Sequence, residues 1–437
     1  MPVKPLLADV LPRAPAHEVN LDLEALRGYA ALFVVWDHAV LYQQLLDPGY
    51  SPQGIFSYQP SGHFCVLLFF GLSGYVIGLS NPRPLTWASS GTYLKKRLVR
   101  LYPIYALTLL LTLVAYPAGL LHLGTVLGNA ALLPVPGIAE LNVPAWSLHY
   151  ELVYYLLFIP LSIWRVALRP VFLVALLVAG AQLLLPPQLG LPALGSYAYG
   201  LLFWAGGLAL SRRLARAAPA RVPAQVLVSC LLLVLCIDQY NLFDTFLHKA
   251  VQAVTASGHV TLQTYWAHVA LPVFDLAYLP FALVLLLVFT GRRVPHLLTA
   301  LRALLLLSAL NLVYVVRHAL AGDLRTTFYA LPPLFLLAAL GWQFWRHPAA
   351  ERLSRHILRV GAWLGSLSYG IYLVHYPVLL LLHQLPWVSG TRWSFSLRFA
   401  LLLLLTIGLS YLLEKRLQPS LRAYFFKPVP RPTAVMA

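Results

Sequence analysis

Apolar runs of about twenty residues recur along almost the whole of this sequence, each long enough to cross the hydrocarbon core of a bilayer as a helix. Inside lipid every backbone N–H and C=O must find a partner within the protein, which leaves helices and closed barrels as the spanning structures. Runs of this length predict helices. The expected fold is therefore an all-α polytopic membrane protein, a bundle of about 10–12 transmembrane helices. A chain that is 60% hydrophobic and 10% charged, with mean hydropathy +0.74, excludes a soluble globule.

Candidate spans fall near residues 24–45, 63–80, 100–120, 146–164, 168–186, 197–211, 224–240, 273–290, 296–316, 326–345, 361–383 and 396–414, and the short run at 197–211 is also compatible with a re-entrant segment. Residues 1–20 hold Pro2, Pro5, Pro12 and Pro15 and no hydrophobic core, unlike a signal peptide. They read as an N-terminal tail before a transmembrane domain over 21–418, with a second tail over 419–437.

The formal charge of +17 is distributed in short clusters between apolar runs, which points to membrane orientation rather than to nucleic acid. With the N-terminus inside, the inner loops hold Arg83, Lys95, Lys96, Arg97, Arg100, Arg165, Arg169, Arg212, Arg213, Arg216, Arg221, Arg292, Arg293, Arg346, Arg352, Arg355 and Arg359. The outer loops hold Lys249, Arg317, Arg325 and Arg392. That asymmetry predicts both termini on the cytoplasmic side, as in a bacterial inner-membrane protein. Cys65, Cys230 and Cys236 lie in apolar segments without metal-ligand spacing and read as small buried hydrophobes.

Ionisable residues inside spans cost at least ~2.5 kcal/mol each on insertion scales, so they usually face a partner or a wet cavity. The first span carries Arg27 near its start and the pair Asp37–His38 in its second half. Arg27 and His38 are eleven residues apart, about three helical turns, and so share nearly one face at roughly 16 Å along the axis. An interfacial anchor with a packing histidine is the plain reading of the same residues. In the second span, Gly71, Ser73, Gly74 and Gly78 allow close helix packing, expected against the first span. The next loop, KKRLVRLYPIY over 95–105, is either a lipid-facing basic ring or a phosphate clamp built on Arg97 and Arg100. Glu151, one turn after Ser147 in WSLHYE, needs a cation, an imidazole or water; a pairing with His38 would suit general-base chemistry, and a purely structural pair is the alternative. His375, in SYGIYLVHYPV after Ser366, Ser368 and Tyr369, reads by default as a packing histidine, and Glu414, Lys415 and Arg416 as an interfacial stop. Asp244, His248, His259 and His268 lie in the longest polar interruption but match no compact metal motif, and no metal is expected.

Taken in order, LRGYAALFVVWDH, FFGLSGYVI, RLVRLYP, WSLHYE, SYGIYLVHYPV and LLEKRLQP resemble the acyltransferase-3 family of polytopic membrane O-acyltransferases. The resemblance is close over 21–160, resumes near the end, and over 165–360 consists of hydrophobic helices alone. It implies transfer of an acyl group, usually acetyl, from cytoplasmic acyl-CoA to a hydroxyl of a carbohydrate or glycoconjugate. It also implies roles for Arg27 and His38, for the RLVR arginines and for Glu151. On that reading Arg27, Arg97, Arg100 and Tyr102 bind acetyl-CoA, and His38 is the general base, oriented by Glu151 or Asp37. Trp146, Ser147, Tyr369 and His375 meet the acceptor. Direct transfer fits a single shared cavity; an acyl-enzyme on Ser73 or Ser147 is the variant. A secondary transporter using Arg27, His38 and Glu151 as a proton relay is the competing class, without the internal repeat such folds carry. A non-enzymatic scaffold with structural buried charges is a third.

Overall fold

The computed structural model describes residues 20–42, 44–116, 121–132, 140–184, 192–255, 272–321, 331–385 and 388–426. In chain order the helices are α1 (Leu21–Leu41), α2 (Gly62–Ser80), α3 (Trp87–Ala115), α4 (Leu123–Ala130), α5 (Trp146–Ile163), α6 (Leu168–Leu184), α7 (Pro192–Leu214) and α8 (Ala224–Tyr240). They continue with α9 (Leu242–Thr255), α10 (Leu279–Phe289), α11 (Leu297–Leu320), α12 (Pro332–Phe344), α13 (Pro348–Gly365), α14 (Ser368–His383), α15 (Arg392–Tyr411) and α16 (Gln418–Phe425). Among the described residues the rest is turns, short 3₁₀ segments, one π-helical turn at Leu412–Leu417 and one isolated β-bridge between Pro219 and Arg292. The protein is an all-α, integral multi-pass membrane protein.

Among the described residues, four continuous stretches are long and apolar enough to cross a bilayer: Gly54–Ser80, Trp87–Ala115, Ala224–Ala253 and Arg392–Phe425. The span expected at 361–383 is instead a bent pair, α13 and α14, turning by 72°. The segment at 197–211 is a 23-residue helix, α7, not a re-entrant loop. Helix α1 is too polar to qualify by composition, because it carries Asp22, Glu24, Arg27 and Asp37. It packs against α2, α13 and α14, and all four of these charges are partly buried in protein.

Glycines set the tightest of these contacts. A Cβ on Gly74 would stand 1.9 Å from the Trp204 carbonyl oxygen, so the small-residue face of α2 packs on α7 and not, as the spacing suggested, on α1. Helix α1 has its own such partner: a Cβ on Gly28 would stand 2.1 Å from the Gly361 carbonyl oxygen of α13.

Two boundaries differ from expectation in ways that shape the site. The basic stretch at 95–100 is not a loop but part of α3, which begins at Trp87 because Thr86 and Ser89 form a reciprocal capping box. At the other end, the last span does not stop at Glu414. It passes through the π-helical turn into α16, which extends the helix to Phe425. Gln418 donates to the Val99 carbonyl (2.8 Å) and Lys95 to that of Phe425 (3.0 Å), fastening α16 to α3.

Far from this basic end, Asp47 ties the loop after α1 to the start of α15. Its carboxylate accepts from the backbone N–H of Gly49 (3.1 Å) and Gly390 (3.0 Å) and from the hydroxyls of Ser389 and Ser394. Burial alone would raise this carboxyl; the four hydrogen bonds outweigh it and bring Asp47 below its ordinary value.

Candidate active site

One face each of α2, α3, α5 and α14 encloses a cavity of about 920 Å³. Helical spacing selects the lining: Val66, Phe69 and Phe70, Ser73, Ile77 and Ser80 follow one stripe of α2, and Ser89, Tyr93, Lys96 and Arg97, Arg100 follow one stripe of α3. Helix α5 contributes Ser147, Glu151 and Tyr155; α14 contributes Ser368, Tyr369 and Tyr372. Arg27 enters from α1, and Arg422, Ala423 and Phe426 close one side of the mouth.

The charges are unequally partnered. Arg27 pairs with Glu24 at 3.2 Å, one turn earlier on α1. Arg100 pairs at 2.5 Å with Glu414, whose side chain is 4% exposed. Glu414 is therefore a buried counter-ion delivered by the π-helical turn, not the interfacial stop the sequence suggests. Arg97 has no acidic partner among the described residues. It donates to Ser80 Oγ (2.7 Å), lies over the rings of Tyr93 and Tyr155, and keeps a buried Nε without a hydrogen-bond acceptor among them. Glu151, the acid in the cavity wall, accepts from Ser73 (3.0 Å) and from Tyr155.

Phe69 and Tyr372, ring against ring at 5.8 Å, both line the cavity. The Tyr372 hydroxyl donates to the Pro144 carbonyl (2.6 Å) and bonds Ser147 Oγ (2.9 Å), pinning the start of α5 to α14. One turn further along α14 is His375, its ring 6.3 Å from that of Tyr372.

His375 and His38 form a dyad, Nε2 to Nδ1, at 2.9 Å. Its direction follows from chemistry. His375 Nδ1 lies 3.1 Å from the Ile371 carbonyl oxygen, which accepts and cannot donate, so that nitrogen carries the proton. The Nε2 of neutral His375 then has the lone pair, and His38 Nδ1 must donate to it. The tautomer that results leaves the lone pair of His38 on Nε2, which no described residue occupies.

The acyltransferase-3 family model, an acyltransferase domain, matches residues 20–300 and 287–415. The chain belongs to the acyltransferase-3 family. Protein 2 in the picA locus of Rhizobium radiobacter is 34% identical to it, over 30% of this chain and 76% of that protein. No solved structure matches. As an acyltransferase-3 member the protein is a membrane acyltransferase.

In this acyltransferase the residues singled out from sequence fall into three groups. Arg27, Arg97, Arg100, Ser73, Ser147, Glu151 and Tyr369 line the cavity. His38 and His375 are not among the lining residues, and the described hydrogen-bond partner of the His38 ring is His375, not Glu151 or Asp37 as the sequence suggested. Asp37, Trp146 and Tyr102 lie elsewhere. Adjacent residues on a helix point about 100° apart, so Asp37 turns away from His38 to pack against Gly62, within electrostatic reach of His63 and Asp238. Trp146 stacks on His63, which pairs with Asp275 at 2.9 Å. Tyr102 is exposed and donates to the Ala130 carbonyl (2.9 Å) outside the cavity. His248 bonds Asp244, while His259 and His268 lie outside the described residues.

Tyr155, Tyr372 and the pairing of Glu414 with Arg100 were not singled out by the sequence. The first two carried a usable signal, since each is three or four residues from a residue already chosen, Glu151 and His375.

Proposed function

We propose that this acyltransferase moves an acetyl group from cytoplasmic acetyl-CoA to a hydroxyl of a carbohydrate or glycoconjugate acceptor. The observation that carries the reading is the His375–His38 dyad, which leaves one basic nitrogen unbound beside a cationic cavity. The mouth, on this reading, opens to the cytoplasm.

The residues present fit an acyl-CoA. Its phosphates need cations at a mouth, and Arg97 offers a buried donor that no described residue uses. Its long arm needs a deep passage, which the 920 Å³ cavity supplies. The donor contributes an activated acyl carbon and a thiolate leaving group. His38 Nε2 takes the acceptor's hydroxyl proton as that oxygen bonds to the acyl carbon. His38 then returns the proton to the sulfur as the carbon–sulfur bond breaks. His375 holds the base in the required tautomer throughout. Tyr372 lines the cavity against Phe69 and its ring is 6.3 Å from that of His375, so on this reading the Phe69–Tyr372 pair separates cavity from dyad and parts for the acyl carbon to reach His38.

The test is protein in proteoliposomes with acetyl-labelled acetyl-CoA and glycan extracts from the producing cells. Alkali-labile label on carbohydrate supports the reading. Movement of substrate across the bilayer with no ester formed overturns it in favour of transport.

A further inference from the structure

Five cations line the cavity, and their partners separate them. Arg27 and Arg100 have carboxylates at 3.2 and 2.5 Å. Lys96, Arg97 and Arg422 have no acidic partner among the described residues. Arg97 is half-buried and sits deeper, between two tyrosine rings; Lys96 and Arg422 are exposed at the mouth, on α3 and α16 respectively. Two uncompensated cations from separate helices in one wall repel each other unless an anion joins them. Helix α16 is held against α3 by the Lys95–Phe425 and Gln418–Val99 hydrogen bonds, and Lys96 and Arg422 line the same cavity from these two fastened helices.

We propose that Lys96 and Arg422 bind a phosphate monoester dianion, the 3′-phosphate of the CoA nucleotide, and that α16 belongs to the donor site. This rests on the acyl-CoA reading above. The order of groups along the donor gives the assignment: from the thioester end, the diphosphate comes first and the ribose 3′-phosphate last. The deeper Arg97 then meets the diphosphate and the outermost pair meets the outermost and most highly charged phosphate. Arg100, already neutralised by Glu414, acts by keeping the π-helical turn and α16 in place. A lipid phosphate headgroup offers the same chemistry at a membrane surface, and the experiment separates the two sources.

Binding of CoA and of 3′-dephospho-CoA to the full-length protein is measured in nanodiscs, once with zwitterionic lipid and once with anionic lipid. Wild type is expected to favour CoA by tenfold or more. Lys96→Gln with Arg422→Gln removes that preference and leaves the 3′-dephospho-CoA affinity within about twofold of wild type; Arg422→Lys, which keeps the charge, preserves most of it. An unchanged preference in the double variant overturns the assignment while leaving the acyl-CoA reading intact. A loss that is equal for both ligands and that appears only with anionic lipid also overturns it, in favour of a headgroup site. Wild type that binds neither ligand overturns both readings.

Discussion

A histidine acts as a base through one nitrogen at a time, and the other nitrogen's partner decides which. Here the decision is made by a main-chain carbonyl, that of Ile371, relayed through His375 to His38. Replacing His375 by Leu removes the relay and frees both tautomers of His38. Transfer is expected to fall about 10- to 100-fold, the size of a mispositioned catalytic group, while His375→Gln, whose amide oxygen can still accept from His38, retains more. Initial rates of ester formation at saturating donor check both. Phe69 predicts a different signature. Phe69→Ala opens the barrier between cavity and dyad, so thioester hydrolysis without acceptor should rise, because water is no longer kept from the base. Free thiol release in the absence of acceptor reports it. An unchanged hydrolysis rate would mean that the Phe69–Tyr372 pair is not the barrier.

At the scale of elements, the π-helical turn at Leu412–Leu417 matters most, since it turns Glu414 inward to Arg100. Glu414→Ala leaves the arginine without its counter-ion. A fully buried pair broken this way costs about 3–5 kcal/mol. The Arg100 side chain is 38% exposed, and water screening reduces the expected loss to about 1–2 kcal/mol. Thermal unfolding in detergent measures it. Gly74 sets a steeper limit: with 1.9 Å to the Trp204 oxygen, Gly74→Ala must separate α2 from α7, at about 3 kcal/mol. At the far end, the depressed Asp47 carboxyl stabilises the α1–α15 tie fully above its unfolded value, near 3.9. That contribution is lost as pH falls through the lower folded value. Asp47→Asn should therefore narrow the difference in melting temperature between about pH 6 and pH 3.

The molecule as a whole was partly written in its periodicities. Apolar runs give the helices, and Arg27, singled out as a charge inside a span, lines the cavity, whereas His38 is not among its lining residues. Partner choice was not legible. His38 meets a residue 337 positions away. Glu414 sits in a charged run that resembles a helix stop, and its inward turn depends on a π-helical register that no local pattern announces. Asp37, adjacent to His38 in sequence, is separated from it by the geometry of the helix itself. At this scale the proposed orientation also has a direct check, because the three natural cysteines are buried. Single cysteines at Lys96 and Gln53, both exposed, should react with a membrane-impermeant thiol reagent from the cytoplasmic and the opposite side, respectively. Labelling of both from one side would contradict the orientation.

In the proposed mechanism His38 supplies the base for a donor held by other residues. The most direct test of that role sets donor binding against transfer in one variant, His38→Gln. CoA affinity is expected within about twofold of wild type, together with a transfer rate lower by about 100- to 10,000-fold, the usual contribution of a general base. Transfer at the wild-type rate by the variant would contradict that role.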